Sequence, residues 1–91
     1  MLRRITSRQF EKDYYKAIKS GKKTEKLNNI IERLINQEIV EQNYKDHKLT
    51  GVYSGYRECH IEPDWLLIYK IDKENKMISF VRTGSHSELF E

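Results

Sequence analysis

The chain is short of several features, and each shortage excludes a class of protein. A single cysteine, Cys59, rules out an internal disulfide and suits a reducing cytoplasm. No apolar run reaches the length of about 18 residues that a membrane-spanning helix needs, so we expect no membrane contact. The first ten residues include arginines but no apolar segment, which is unlike a secretory signal.

The standard motifs for metal, nucleotide and covalent catalysis are also missing. The sequence has no CxxC or HExxH pattern for zinc, no GxxxxGK[ST] phosphate loop and no GxSxG nucleophile. Its three histidines, His47, His60 and His86, stand on separate predicted elements, without the short paired spacing of typical metal ligands. We therefore expect no metal and no cofactor.

The length and the charge distribution bound what remains. Ninety-one residues predict a single domain, residues 1–91, with one modest hydrophobic core. Residues 1–26 contain nine lysines and arginines against three acidic residues, whereas the remainder contains eight against eleven. This basic end indicates a polyanionic partner, or else simply a solvated helix face.

The first 20 residues predict a strand followed by an amphipathic helix. Residues 2–5 are the strand, and residues 6–9 (TSRQ) fit a capping box that starts the helix. The helix ends near Ser20, because Gly21 is a usual residue just past a helix end. Its predicted core face consists of Phe10, Tyr14, Ala17 and Ile18. The opposite face is a basic ridge: Arg8, Lys12, Lys16 and Lys19.

A second helix follows after a short turn. Thr24 is its predicted cap, and the helix spans roughly residues 25–37. Its apolar residues recur at helical spacing and predict a core-facing stripe: Leu27, Ile30, Ile31, Leu34 and Ile35. The short turn makes the two helices an antiparallel hairpin. Residues 39–53 lose all periodicity and predict an ordered loop.

The C-terminal half predicts a three-stranded meander at residues 56–61, 65–72 and 76–82. The middle strand opens with the most apolar run of the chain, Trp65–Tyr69, which predicts burial on both faces. Thr83 and Gly84 are expected to break the last strand, and residues 85–88 fit a capping box for a final helical turn. Together these elements predict an α+β fold. An N-terminal strand and a two-helix hairpin pack on an antiparallel sheet of about four strands, and a short helical turn follows at the C-terminus.

The polar residues of this half suit the cleavage of RNA without a metal. The ribose 2′-hydroxyl can attack the adjacent phosphorus, so the protein needs only to move protons and to stabilise charge. Histidine can move protons near neutral pH, since its pKa is about 6.5. Arg82 has a permanently charged, planar guanidinium that can stabilise negative charge. Trp65, Tyr56 and Phe90 are candidates for stacking on bases.

Three segments resemble a known family. Residues 44–51 (YKDHKLTG), 56–69 (YRECHIEPDWLLIY) and 82–90 (RTGSHSELF) are similar to the YafQ branch of the RelE/ParE superfamily. The similarity is dense from Tyr44 to the C-terminus, about half of the chain, and looser over the helix hairpin. No motif position departs in a way that indicates an inactive enzyme.

This resemblance implies a RelE-like fold and a bacterial type II toxin. Such toxins are ribosome-dependent endoribonucleases that cut mRNA in the ribosomal A site, and a cognate antitoxin protein neutralises them. The expected partners are therefore an antitoxin, mRNA and ribosomal RNA. The functional positions of the family fall on these residues: His47, His60, Asp64, Trp65, Arg82, His86 and Phe90.

The resemblance also suggests a role for each group. His86 is the expected general acid and His47 the general base, although His60 is a second candidate for the base. His60, coupled to Asp64, is expected to hold or tune the site, and Arg82 to steady the scissile phosphate. Together with Trp65, the expected RNA- or ribosome-binding residues are Lys45, Lys48 and the basic ridge.

Other interpretations stay open at this stage. A ParE-like relative that binds a protein such as gyrase would cut nothing, and a plain RNA-binding module would need no proton-transfer groups. Single residues have structural alternatives too. Trp65 and Phe90 suit core packing, and Asp64 after Pro63 is an ordinary turn residue.

Overall fold

The computed structural model describes residues 1–90, which form three α-helices and five β-strands. In chain order these are β1 (Arg3–Thr6), α1 (Arg8–Lys19), α2 (Glu25–Ile35), β2 (His47–Lys48), β3 (Arg57–Glu62), β4 (Trp65–Asp72), β5 (Met77–Gly84) and α3 (His86–Phe90). Two single 3₁₀ turns, Gln42–Tyr44 and Gly51–Tyr53, flank β2. Among the described residues, no helix is both long and apolar enough to cross a membrane.

The strands form one mixed sheet in the order β1-β5-β4-β3-β2. The predicted α+β class, with a helix hairpin on a sheet, is confirmed. Two details differ from the antiparallel sheet of about four strands. β1 is parallel to β5. The two helices connect β1 to the meander across one face of the sheet, and the last strand of the meander, β5, lies beside β1 in the same direction. β2 adds a fifth strand of two residues, which is too short to show any alternation in the sequence.

Ser7 caps α1, whereas the predicted capping box began at Thr6. The Ser7 hydroxyl accepts a hydrogen bond from the amide of Phe10 at 2.9 Å, as the residue before a helix commonly does. Thr6 instead donates its hydroxyl hydrogen to Glu11 at 3.2 Å. The helix therefore begins one residue later than a cap at Thr6 implies.

The buried face of α1 is rotated from the predicted one. Phe10 and Ala17 are buried as expected, but Ile18 is 47% exposed. The third buried position is a carboxylate, Asp13. Hydropathy alone cannot find this face, because its central residue is charged.

The second helix follows its prediction closely. All five residues of the apolar stripe are buried, with exposures from 0% to 6%. Thr24 makes no side-chain capping bond, because its backbone is already helical, with φ −77° and ψ −7°. The helix ends at Ile35, two residues before the predicted end.

The strand β4 is buried on both faces, as predicted. Trp65, Leu67 and Tyr69 face the helices and belong to the larger core. Leu66 and Ile68 point to the opposite face, where they form a small second cluster with Leu89 of α3. The sheet therefore has a helix-covered face and an open face, which among residues 1–90 is covered by α3 and loops.

The strand β5 continues through Gly84, so the predicted break at Thr83 and Gly84 is wrong. Thr83 pairs with Leu67 and Gly84 with Leu66, which extends the strand along the most apolar part of β4. The register shifts once, so that Val81 is an extra residue between the paired positions.

Side chains of α1 replace a neighbouring strand along the last part of β5. The pairing with β1 ends at Phe80. Beyond it, the Ser7 hydroxyl donates to the carbonyl of Val81 at 2.7 Å, and Asp13 accepts from the amide of Thr83 at 3.1 Å. The backbone groups of this edge are thus satisfied without a strand.

The short helix α3 is attached by a capping box and an ion pair. Glu88 accepts from the amide of Ser85 at 2.9 Å, and the Ser85 hydroxyl accepts from the amide of Glu88 at 3.2 Å, which confirms the predicted box. Lys16 of α1 contacts Glu88 at 2.6 Å. Hydrogen bonding to Lys16 is the main cause that lowers the pKa of Glu88 to about 2.

We expect Ile30→Ala to destabilise the protein strongly. Ile30 is 1% exposed in the centre of the helix-side core, so its truncation removes buried area and leaves a cavity. The expected loss in the free energy of unfolding is about 2–5 kcal/mol, measured by urea denaturation. The exposed neighbour Asn29→Ala is the control and should change stability by about 0.5 kcal/mol or less. Similar losses for the two variants would contradict this core.

We expect Glu88→Gln to lower stability at neutral pH but not in strong acid. The pKa of Glu88 falls on folding from its usual 4.5 to about 2, so the stabilisation is complete above pH 4.5 and is lost as the pH falls towards 2. A surface ion pair contributes about 0.5 kcal/mol. Thermal melting from pH 2 to 7 tests this against the exposed control Glu74→Gln. A stability gap that persists at pH 2 would exclude the charge of Glu88 as its cause.

Candidate active site

Three histidines from separate elements converge on the open face of the sheet. His47 lies on β2, His60 on β3 and His86 at the start of α3. The ring centroids of His47 and His60 are 6.1 Å apart, and those of His60 and His86 are 5.7 Å apart. The strand register places His60 opposite Leu66, whose side chain faces this same side. The three imidazoles thus form one continuous row.

A buried carboxylate that the sequence analysis did not single out lies between two of them. One oxygen of Glu58 is 3.4 Å from Nε2 of His47 and 3.3 Å from Nε2 of His60. Glu58 is only 5% exposed, so a positive charge on either ring compensates a carboxylate that water hardly reaches. The available signal was its position two residues before His60 on a strand, which places both side chains on one face.

Asp64 holds His86, whereas the prediction coupled it to His60. One Asp64 oxygen accepts from Nδ1 of His86 at 2.7 Å and from the backbone amide of His86 at 2.9 Å. These two hydrogen bonds, the backbone one first, lower the pKa of Asp64. The carboxylate therefore stays ionised, and it fixes Nδ1 as the donor so that Nε2 is free to meet a substrate. The difference is one of loop geometry: Asp64 lies in the turn between β3 and β4, beyond the end of the strand that carries His60.

His47 is also held through Nδ1 by an oxygen acceptor. Its Nδ1 donates to the carbonyl of Lys45 at 2.6 Å. Because a carbonyl oxygen only accepts, the hydrogen of a neutral His47 ring lies on Nδ1 and its Nε2 carries the free lone pair. Nε2 of His47 can therefore take a proton beside Glu58.

Asp46 anchors the loop that carries His47. It accepts hydrogen bonds from the Tyr69 hydroxyl at 2.7 Å and from Nε of Arg57 at 3.1 Å. Tyr69 and Arg57 lie on two central strands, so the loop is tied to the rigid part of the sheet. This contact explains the residue before His47 in the YKDH segment, which the sequence analysis left without a role.

Arg82 lies beside the site but is already paired. Its register partner is Ile68, which places the residue on the open face. Its guanidinium nevertheless binds Asp13, with Nε 2.8 Å and Nη2 3.3 Å from the two carboxylate oxygens. This hydrogen bonding raises the pKa of Arg82. The pairing fixes the guanidinium in place and leaves its other N–H groups for a phosphate.

Phe90 is part of an aromatic ledge, which we define as Tyr53, Tyr56 and Phe90. Its ring meets Tyr53 edge-on at 5.8 Å between centroids, and Tyr53 meets Tyr56 in the same way at 6.0 Å. Phe90 is 45% exposed, so part of its ring remains accessible to a base. Tyr53 adds to the predicted set and was not foreseen.

Trp65 is not available for RNA stacking. It is 1% exposed and faces the helices, and its indole nitrogen donates to the Thr83 hydroxyl at 3.0 Å. The two interpretations of Trp65 are stacking on bases and packing in the core, and its burial agrees with packing in the core. The pattern of the sequence could not separate them, since a strand-opening tryptophan suits both.

The predicted cationic residues fall into three groups. Lys45 and Lys48 are exposed on either side of His47, next to the row of histidines. Lys16 forms an ion pair with Glu88. The remaining residues of the basic ridge (Arg8, Lys12, Lys19) are exposed on α1, which covers the other face of the sheet. The structure therefore separates Arg8, Lys12 and Lys19 from the histidines, whereas Lys16 reaches the helix that carries His86.

Among the described residues, His47, Glu58 and His60 are the group that could hold a metal ion. Their ligand atoms all lie within 4.8 Å of one another. The two Glu58 distances suit a tetrahedral site, in which ligands with bonds of about 2.1 Å stand about 3.4 Å apart. The absence of a metal therefore stays a prediction, and three imidazoles in one row serve proton transfer equally well.

Comparison with known proteins gives the row of histidines its context. The family described as "Bacterial toxin of type II toxin-antitoxin system, YafQ" matches residues 3–91. The mRNA interferase toxin YafQ of Escherichia coli K12 is 45% identical over 85 residues, which cover 92% of this chain and 90% of that protein.

Solved structures agree in fold. The YafQ-type chain in a crystal structure of the E. coli DinJ–YafQ complex matches with a TM-score of 0.90 and 41% identity, over the full length of both chains. A metal-bound toxin from Helicobacter pylori matches with a TM-score of 0.93 and 41% identity, over 99% of this chain and all of that one. The resemblance drawn from the sequence is confirmed, and this chain belongs to the YafQ family of bacterial toxins of type II toxin–antitoxin systems.

Proposed function

We propose that this protein is an endoribonuclease toxin that cuts mRNA on the ribosome by metal-independent acid–base chemistry. One observation carries the proposal: His47 and His86 stand at the two ends of one row, and each donates Nδ1–H to an oxygen, which leaves Nε2 of each ring free to exchange a proton with RNA. We assign His47 as the base and His86, whose positive charge when protonated is balanced by Asp64, as the acid. The name of its E. coli relative, an mRNA interferase, supports the same activity.

The reaction needs two proton transfers and no protein nucleophile. His47 takes the proton of a ribose 2′-hydroxyl, and the oxygen attacks the adjacent phosphorus. The bond from phosphorus to the 5′-oxygen of the next nucleotide then breaks, and His86 gives that oxygen a proton. The products are a 2′,3′-cyclic phosphate and a 5′-hydroxyl. His60, placed between the two, remains a second candidate for the base.

The surrounding groups stabilise charge during this reaction. Glu58 lies 3.4 Å from the nitrogen of His47 that becomes protonated, and Asp64 balances a protonated His86. Arg82 offers its unpaired N–H groups to the phosphoryl oxygens, which gain negative charge in the transition state. The exposed part of Phe90 and the lysines Lys45 and Lys48 hold the RNA strand.

The partners follow from the family and the surface. The E. coli relative is crystallised with DinJ, and we propose that a cognate antitoxin likewise binds this chain. Ribosomal RNA is the proposed contact of the exposed ridge on α1, which lies away from the cut. Because the proposed substrate is mRNA on the ribosome, the proposed location is the cytoplasm.

We expect His86→Ala to abolish most cleavage. The loss of a positioned general acid lowers the rate by about 10²–10⁴-fold. The measurement is the yield of cut message in a purified translation reaction. Ser87→Ala, an exposed change on the same short helix, is the control and should cut at the normal rate.

Cleavage by His86→Ala at the rate of the unmutated protein would remove His86 from the mechanism. If the unmutated protein cuts nothing while translation continues, the nuclease assignment itself fails. Inhibition of a topoisomerase in its place would then support the ParE-like alternative, and binding of RNA without cutting would support the RNA-binding module.

We also expect one 2′-deoxynucleotide to block the cut. Placed immediately 5′ of the scissile phosphate, it removes the attacking oxygen and leaves the rest of the message unchanged. Cut ends from the all-ribose message should be a cyclic or 3′-phosphate and a 5′-hydroxyl, identified by mass spectrometry. A cut that survives the deoxy substitution, or leaves a 5′-phosphate, would indicate attack by water, as in metal-assisted hydrolysis.

A further inference from the structure

A cleft beside the row of histidines takes no part in the proposed proton transfers. It has a volume of about 530 Å³ and lies at the free edge of β3. His60 and His86 line it. Its other lining residues include Lys26, Asn43, Tyr44 and Lys45. We call this space the β3-edge cleft.

The cleft exists because β2 is so short. β2 pairs only with Arg57 and Glu58, so among residues 1–90 the second half of β3 has no strand on the side away from β4. The 3₁₀ turn Gln42–Tyr44 occupies that place instead. Lys45 follows in the left-handed conformation, at φ 49° and ψ 44°, and turns the chain back towards His47. The wall of the cleft is thus a fixed backbone turn.

The groups that line the cleft suit a nucleotide. Tyr44 is half-buried and supplies an aromatic ring, and Pro63 and Ile61 supply apolar surface. The exposed amide of Asn43 has both donors and an acceptor, which is what the edge of a base requires. The volume lies in the range of about 300–1,000 Å³ that is usual for small-molecule sites.

The charge of the cleft agrees with this ligand class. Lys26 and Lys45 bring two positive charges to its rim. Glu62 neutralises part of this charge, since it lies 3.9 Å from Nζ of Lys26. The remaining positive charge favours a phosphate at the entrance.

We propose that the β3-edge cleft binds the base of the nucleotide directly 3′ of the cut, and that Asn43 discriminates among bases there. The proposal rests on the proposed nuclease function. His86 lines the cleft and protonates the oxygen that belongs to this downstream nucleotide, whereas His47 does not line it. The geometry therefore places the leaving nucleotide, rather than the attacking one, next to Asn43.

The same turn links the cleft to the catalytic row. The carbonyl of Lys45 accepts the hydrogen bond from Nδ1 of His47, while the side chain of Lys45 lines the cleft. A base that fits against this turn stabilises the turn in the conformation that orients His47. Base preference at this position should therefore appear in the rate of cutting as well as in binding.

Asn43→Ala tests the proposal in a translation reaction. A message is prepared in four versions, with each base in turn at the position 3′ of the cut, and the cutting rates are compared. The unmutated protein should prefer one base, and Asn43→Ala should reduce that preference by about tenfold, the effect of losing one base-edge contact. Asn36→Ala, at the exposed end of α2, is the control and should keep the preference. A preference unchanged within twofold in Asn43→Ala, or no preference in the unmutated protein, overturns the proposal.

A binding measurement separates this proposal from the nuclease function. An uncleavable trinucleotide with 2′-deoxyribose is titrated into the protein and followed by the amide NMR shifts of residues 43–45. Shifts that saturate for the preferred 3′ base and weaken at least fivefold in Asn43→Ala support the cleft, even if the protein cuts no message. Shifts confined to residues outside the cleft overturn it, whether or not the message is cut.

Discussion

The buried carboxylate of Asp13 is the contact on which the arrangement of this molecule depends. It accepts hydrogen bonds from the side chain of Arg82, the amide of Thr83 and the side chain of Gln9. Through these bonds α1 closes the edge of β5 where β1 has ended. A charge at this depth needs such partners, and a variant that removes it leaves Arg82 without its counter-ion. The strand end from which α3 departs is thus positioned by a helix on the other face.

The sheet separates stability from chemistry. Its helix-covered face contains the large core, and its open face carries the histidines above a small apolar cluster of Leu66, Ile68 and Leu89. β4 contributes to both faces and pairs directly with β3, so His60 stands beside the buried centre of the fold. Rigid support of this kind keeps a proton donor or acceptor within reach of a bound phosphate.

Much of the fold could be predicted because its signals are local. The stripe of α2, the two-faced apolar run of β4 and the capping box of Ser85 and Glu88 each depend on residues close in sequence. The continuation of β5 through Gly84 could not be seen locally, since it depends on pairing with Leu66 across the sheet.

The site was predicted less completely, for a related reason. The three histidines named from residue type and from family resemblance do lie together, but their hydrogen-bond partners could not be predicted. Asp64 binds His86 across 22 positions of sequence, and the bulge at Val81 places Arg82 and Phe80 on different faces although they are two residues apart. Such contacts follow from three-dimensional geometry, which the spacing of residues does not contain.

The attachment of α3 has a consequence for the dynamics of the site. This five-residue helix is joined to the body mainly by one buried side chain, Leu89, by the partly exposed pair of Lys16 and Glu88, and by the exposed hydrogen bonds of Asp64 to His86. High ionic strength weakens exposed charged contacts, whereas it hardly affects the core. Local opening should therefore begin at α3. The proposed general acid, His86, then lies on the segment that unfolds most easily.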